Sequence, residues 1–258
     1  MSKTALITGA SAGIGGRFAR LLAREGYDLI LVARDEARLR DTADGLEREF
    51  KIACEILVAD LSTVEGSKSV EERISDSTRP VDVLINNAGF GIRENFLQSD
   101  KNTEQQLMDV LVRTPMRLMH SALPIMRARN SGIVINVSSV AGWIAGGTYS
   151  AAKSYLTVLS ESLHTELQGT NVNVLALCPG FTHTEFHQRG KMRMESLPNF
   201  MWLDADQVVE KAWSDAQSGK AVSVPGWQYA IVSLLARFAP RPLVRKIGMN
   251  VRVRQRRK

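Results

Sequence analysis

Short apolar runs alternate along the chain with longer stretches whose apolar positions recur at helical spacing. Lys3 to Thr8 reads as a buried strand, and after a glycine-rich turn Phe18, Leu21 and Leu22 fall at helical intervals. Gly26 ends that helix and Asp28 to Ala33 is the second strand, completing a βαβ unit. Ile52 to Val58 predicts a third strand, followed by Ala59-Asp60-Leu61-Ser62 and a polar helix to about Thr78. Val81 to Ile85 predicts a fourth, ending in Asn86-Asn87-Ala88-Gly89, and residues 103–128 read as one long helix with Pro115 inside it as a kink or break. Ile133 to Val137 is the fifth strand, a helix begins near Tyr149, and Val172 to Leu177 is the sixth strand. Asp204 to Gln217 reads as a helix, Ala221 to Val224 as a last short strand and Tyr229 to Phe238 as an apolar helix. Strands alternating with helices throughout call for an α/β fold, a parallel sheet covered on both faces. In such a sheet ligands sit at the carboxyl ends of the strands.

Composition narrows the class. The chain has 258 residues and 44% apolar content, ordinary for a globular protein with one well-packed core. The first residues run at once into a strand pattern without a signal peptide's apolar run or cleavage site, and no stretch reaches the length of a spanning helix. Cys54 and Cys178 each sit in an apolar run, which reads as two buried free thiols in a reducing cytoplasm. The sequon Asn136-Val137-Ser138 lies in another such run and is discounted. The net charge is +6, but nine Lys and Arg and no acidic residue fall between Arg237 and Lys258, leaving 24 basic against 27 acidic groups elsewhere. A basic segment at 237–258 is a solvated or subunit-contacting end, or a peripheral contact for an anionic membrane; no nucleic-acid partner is expected.

The chemistry gathers at the predicted strand ends. Gly9-Ala10-Ser11-Ala12-Gly13-Ile14-Gly15 joins a strand to a helix, the layout that sets a phosphate on a helix N-terminus. The second strand ends in Ala33 and is followed by Arg34 and Asp35. Arg34 is the better placed, so NADP(H) is expected over NAD(H). Asn86 and Asn87 can pin the loop backbone or contact a cofactor. Residues 136–153 carry Ser139, Tyr149 and Lys153, the last two one helical turn apart. A phenol ordinarily titrates near pH ~10, and a fixed cation beside it lowers that value. Tyr149 is therefore expected to give or take a proton near neutral pH, with a Ser139 hydroxyl holding a carbonyl oxygen at it. Residues 181–202 mix Phe181, Phe186, Met192, Met194, Leu197, Phe200, Met201 and Trp202 with polar groups. They read as a flap over an apolar substrate or as a short helix pair packed on the body. His120, His164, His183 and His187 show no convincing ligand set, and no metal is expected.

Taken together, Thr8-Gly9-Ala10-Ser11-Ala12-Gly13-Ile14-Gly15, Asp60-Leu61, Asn86-Asn87-Ala88-Gly89, Ser139, Tyr149-Ser-Ala-Ala-Lys153 and Pro179-Gly180 resemble the short-chain dehydrogenase/reductase family, in the family's order and over roughly residues 3–185. The resemblance implies one doubly wound, Rossmann-type domain over residues 1–258, with about seven strands and helices on both faces. It implies hydride transfer between a nicotinamide cofactor and a substrate carbon; with the Met- and aromatic-rich residues 181–202, a hydrophobic carbonyl or alcohol is the expected substrate. Tyr149 would be the acid/base, Lys153 would lower its pKa and bind the nicotinamide ribose, and Ser139 would orient the carbonyl. Gly9, Ser11, Gly13, Ile14 and Gly15 would line the pyrophosphate site. Asp60 with Leu61 would sit by the adenine, and Asn87 with Ala88 and Gly89 beside the adenine ribose. Pro179, Gly180 and Thr182 would lie near the carboxamide. A cytoplasmic homo-oligomer, dimer or tetramer, is expected, with helices 103–128 and 149–168 as contact faces.

Two departures stand out. The step from Ser139 to Tyr149 is ten residues, shorter than the family's usual spacing, which opens one wall of the substrate pocket. Ser138 is the fallback hydroxyl, though Ser139 fits its Ser-Val-Ala-Gly context better. Leu111 stands where the family often carries an Asn that relays protons to the Lys. These departures keep a second reading open, a non-catalytic NADP(H)-binding sensor or scaffold.

Overall fold

The computed structural model describes residues 2–186, 198–240 and 242–245. Seven parallel strands form one sheet in the order β3-β2-β1-β4-β5-β6-β7. They are β1 (Thr4–Thr8), β2 (Asp28–Ala33), β3 (Cys54–Val58), β4 (Val83–Asn86), β5 (Gly132–Val137), β6 (Val172–Leu177) and β7 (Val222–Ser223). Alternation along β1 sorts the core. Ala5 and Ile7 face one side with Phe18 and Leu22, whereas Leu6 faces the other with Leu118 and Val134. The first face is covered by α1 (Gly13–Arg24), α2 (Glu36–Phe50) and α7 (Ala205–Gln217). The second is covered by α3 (Val64–Ser75), α4 (Lys101–Met108), α5 (Thr114–Ala128) and α6 (Thr148–Glu166). A further helix, α8 (Trp227–Phe238), follows β7.

The expected long helix at 103–128 is two helices, α4 and α5, joined by one wide π-type turn at Asp109–Arg113. Pro115 accounts for the break. It has no N–H to donate, and its ring crowds the carbonyl four residues back, so the chain adds slack before the proline and restarts the helix there. Pro124, further along, is carried inside α5. The strand order reverses between β1 and β4, and the crevice at their carboxyl ends is where the chemistry-bearing residues meet.

Candidate active site

The glycine-rich turn leaves β1 with left-handed backbone at Gly9 (φ 67°) and Gly13 (φ 56°), conformations that side chains with a Cβ resist. A Cβ on Gly15 would run into the Gly9 carbonyl and the Asn87 side chain, so the turn folds tightly onto itself. The α1 N-terminus that follows has no side-chain cap at Ala12 and no acidic residue in its first turn. Its free N–H groups and positive dipole end suit an anion.

Asn87 holds this turn in place. Its Nδ2 donates to Thr8 O (2.8 Å) and Gly9 O (3.2 Å), while the Thr8 hydroxyl accepts from the Asn87 and Ala88 N–H groups. Its amide nitrogen thus pins the backbone of the turn. Asn86 is turned inward to Asn136 Oδ1 at 2.8 Å.

Arg34 and Asp35 separate cleanly. The Asp35 carboxylate accepts from Arg38 N, capping α2, and lies 3.5 Å from the Arg38 guanidinium. Arg34 is exposed and makes no hydrogen bond or ion pair among the described residues. Asp60 accepts from Ser62 N and Oγ. These bonds, with help from the Arg34 charge, hold its carboxyl below the usual range against the opposing effect of burial. Leu61 O accepts from Thr114 Oγ1, tying this loop to α5.

The Ser139, Tyr149 and Lys153 cluster sits where β5 meets α6. Ser139 begins a 3-10 turn at Val140–Trp143, its Oγ accepting from Ala141 N at 3.1 Å. Tyr149 is the second residue of α6, part-buried, and its phenol lies close enough to the Ser139 side chain to feel it. Ser138, the fallback, is corrected out of the site. It is 2% exposed, and its hydroxyl bonds to Lys153 O and Thr157 Oγ1, where it fastens β5 to α6.

Lys153 is 4% exposed and donates from Nζ to Val137 O at 2.6 Å. Burial brings its ammonium down to about 8. Nζ lies 5.6 Å from the centroid of the Tyr149 ring. The expected lowering of the phenol is not found, because burial pushes Tyr149 up to about 12 and the Ser139 side chain offsets only part of that. Desolvation penalises the phenolate here more than any neighbouring charge favours it. Leu111, on the π-type turn, packs beside this pair: a Cβ on Gly89 would lie 2.8 Å from Leu111 Cδ2 and 4.0 Å from Lys153 Nζ. An apolar side chain therefore stands where the resemblance implied a proton-relay Asn.

The described parts of residues 181–202 close over the crevice. Thr184 stands against Gly13, Glu185 pairs with Arg38 at 3.2 Å, and the Phe186 ring lies 6.0 Å from that of Tyr149. Phe181 and Trp202 are in ring contact at 6.1 Å, and His183 stacks on Trp202 at 4.6 Å. Thr182 is buried, its hydroxyl donating to Gly180 O. Met192, Met194, Leu197 and His187 lie outside the described residues. Among the described residues no three His, Cys, Asp or Glu side chains gather as a metal would require.

One residue here has no sequence signature. Tyr229 on α8 is 2% exposed and lies against Gly180 so closely that any Cβ there would strike its ring. Its hydroxyl accepts from Phe181 N (3.0 Å) and donates to Met201 O (2.6 Å), joining the two ends of the covering segment. Nothing in the spacing around residue 229 announces this role.

A glycine-lined, uncapped helix end at the switch point, beside a Ser, Tyr and Lys cluster, defines an oxidoreductase of the dinucleotide-dependent kind. The chain belongs to the short chain dehydrogenase family, whose model matches residues 3–194. A short-chain dehydrogenase from Sphingobium yanoikuyae, solved in complex with NADPH, is similar at 31% identity and a TM-score of 0.85, over 99% of this chain and 98% of that one. The bulky-bulky ketone specific alcohol dehydrogenase from Comamonas testosteroni is similar at 28% identity and a TM-score of 0.78, over 92% of this chain and 99% of that one. A family member from Burkholderia phymatum, solved in complex with NAD, is similar at 25% identity and a TM-score of 0.79, over 91% and 92%. No described helix is long and apolar enough to cross a membrane.

Proposed function

We propose that this protein is an NADP(H)-dependent reductase of hydrophobic carbonyl compounds, acting in reverse on the matching alcohols. The observation that carries the reading is the meeting of the Ser139 hydroxyl, the Tyr149 phenol and the buried Lys153 ammonium beneath the Phe186 ring.

The crevice suits the cofactor. Gly9, Ser11, Gly13, Ile14 and Gly15 would hold the pyrophosphate at the uncapped α1 N-terminus. Arg34, which makes no hydrogen bond or ion pair among the described residues, would take the 2′-phosphate that distinguishes NADP, while the Asp35 carboxylate an NAD site would use is committed to capping α2. Asp60 and Leu61 would flank the adenine, Asn87, Ala88 and Gly89 the adenine ribose, and Pro179, Gly180 and Thr182 the carboxamide. Tyr149 and Lys153 would reach the nicotinamide ribose. When bound, the nicotinamide supplies the hydride in reduction and accepts it in oxidation.

The chain's own residues handle the oxygen and the proton. Ser139 holds the carbonyl oxygen against Tyr149. With its phenol pushed up to about 12, Tyr149 keeps its proton at neutral pH and donates it as the oxygen gains charge, the role of a general acid in reduction. Lys153, at about 8, is an ammonium at pH 7 and favours the phenolate as it forms. Phe181, Phe186 and Trp202 present an apolar wall to the substrate. Residues 1–258 act as one catalytic domain in the cytoplasm. They assemble as a homo-oligomer through α5 and α6, where Met116, Tyr155 and Val158 are exposed.

The test is consumption of NADPH, with NADH in parallel, over ketones, aldehydes, acyl thioesters and sterols. Turnover with NADPH that disappears in Tyr149→Phe is the expected result. Retained turnover in that variant would refute the mechanism.

A further inference from the structure

Helix α8 is built inside out. Trp227, Ile231, Leu234, Leu235 and Phe238 recur at helical spacing to form one apolar stripe, the pattern of a face turned to a core. They face outward instead: Trp227 is 72% exposed, Leu235 63% and Phe238 80%. The polar side chains Tyr229 and Ser233 are the ones turned inward, at 2% and 7%. Phe200, 63% exposed, extends the apolar surface, since its carbonyl accepts from Gln228 Nε2 at 3.0 Å. A contiguous apolar surface of this kind marks a contact with something else.

We propose that this stripe lies on an anionic lipid bilayer, docking the enzyme with its pocket beside the membrane. The proposal rests on the reading of the site as one for hydrophobic carbonyls, and names where such substrates enter. Charge selects the partner. The stripe runs straight into residues 237–258, with nine Lys and Arg and no acid, whereas the rest of the chain carries more acidic than basic groups. A twofold contact through α8 would bring two copies of the same patch together, each followed by the eight Lys and Arg that lie beyond Phe238. An anionic bilayer instead neutralises those charges and receives the Trp, Leu and Phe side chains at the headgroup boundary.

The helix is also attached to the pocket. Arg237 pairs with Glu161 at 3.3 Å and lies 4.7 Å over the ring of Trp143, in the shortened loop that walls the substrate space. At the other end Tyr229 joins Phe181 to Met201 over the site. A lipid-like substrate leaving the bilayer beside α8 therefore meets the pocket wall first.

The experiment is co-sedimentation of the full chain with vesicles of phosphatidylcholine containing 30% phosphatidylglycerol, against pure phosphatidylcholine, at low and raised salt. Binding to the anionic vesicles that weakens with salt is expected. It should fall roughly tenfold or more in Leu235→Glu/Phe238→Glu, and also when Arg252, Arg254, Arg256 and Arg257 are changed to Ser. NADPH turnover of a water-soluble ketone, measured alongside, reports folding. It also separates failure of docking from failure of the assigned reaction. No binding by the full chain, or equal binding to both vesicles, overturns the proposal. Full binding by the Glu variant overturns the helix's role, leaving a charge-only contact of the sort a nucleic acid also makes. A wild-type dimer that the Glu variant turns into monomer, with no vesicle binding, assigns the stripe to a second copy and overturns it as well.

Discussion

Burying Lys153 has a cost that can be measured. Its ammonium is brought from the ordinary 10.5 down to about 8, and at 4% exposure there is little solvent to screen it. At about 1.4 kcal/mol per pH unit, the folded protein at pH 7 bears roughly 3 kcal/mol for holding that charge. Lys153→Met removes the charge but also the bond to Val137 O, worth about 1–2 kcal/mol. The variant should therefore lose turnover yet be more stable than wild type at pH 7 by about 1–2 kcal/mol. The sign of the pH dependence follows from proton counting. Between about 8 and 10.5 the unfolded chain keeps the Lys153 proton that the folded one has released, so wild-type stability rises with pH in that window. By pH 9 wild type should recover about 1 kcal/mol relative to the variant, a narrowing of about 2–4 °C in Tm. The thiol of Cys54, pushed up to about 12, is present in both proteins and cancels in the comparison. Thermal melts of both proteins at pH 7 and pH 9 make the test. A less stable variant at pH 7, or a gap that stays the same at both pH values, would refute the reasoning.

Tyr149→Phe should lower turnover by at least about 1,000-fold while NADPH affinity, read by fluorescence titration, stays within about threefold. Arg34→Ala should raise the KM for NADPH by about 10–100-fold and leave that for NADH nearly unchanged, since only the former loses a charge-assisted bond. Equal effects on both cofactors would remove Arg34 from the 2′-phosphate site. Tyr229→Phe leaves Phe181 N and Met201 O without their shared hydroxyl, and should cost about 2–3 kcal/mol in urea unfolding and raise substrate KM more than it lowers kcat.

Much of the candidate site shows in the sequence because its signals are local. Gly9, Gly13 and Gly15 show in the spacing of one turn, and Tyr149 and Lys153 in the pitch of one helix. The strands fall within two residues of their expected bounds because each is an apolar run between turn-forming residues. The phenol's pKa differs from the expectation for a physical reason: helical spacing reports a nearby cation, but desolvation depends on what packs around the ring from elsewhere in the chain. Pro115 announced a break without its form, which depends on how the backbone absorbs the missing donor. Ser138 and Ser139 are adjacent, and only the direction of β5 into the 3-10 turn sends one hydroxyl into the core and the other to the site.

Helix α8 shows where periodicity stops being informative. Its apolar stripe predicted a helix but said nothing of which way the stripe faces. The orientation follows from backbone groups far away in sequence. Phe181 N and Met201 O both end on the Tyr229 hydroxyl, and the space over Gly180 is filled by the Tyr229 ring. Turning the stripe inward would carry that hydroxyl out to solvent and leave a buried N–H and C=O unmet, at about 1–3 kcal/mol for each. Covering the site therefore commits the polar side of the helix to the body and leaves its apolar side to the surroundings. In a chain whose basic residues crowd just beyond that helix, this outward apolar side is the surface that the proposed contact with an anionic bilayer would cover.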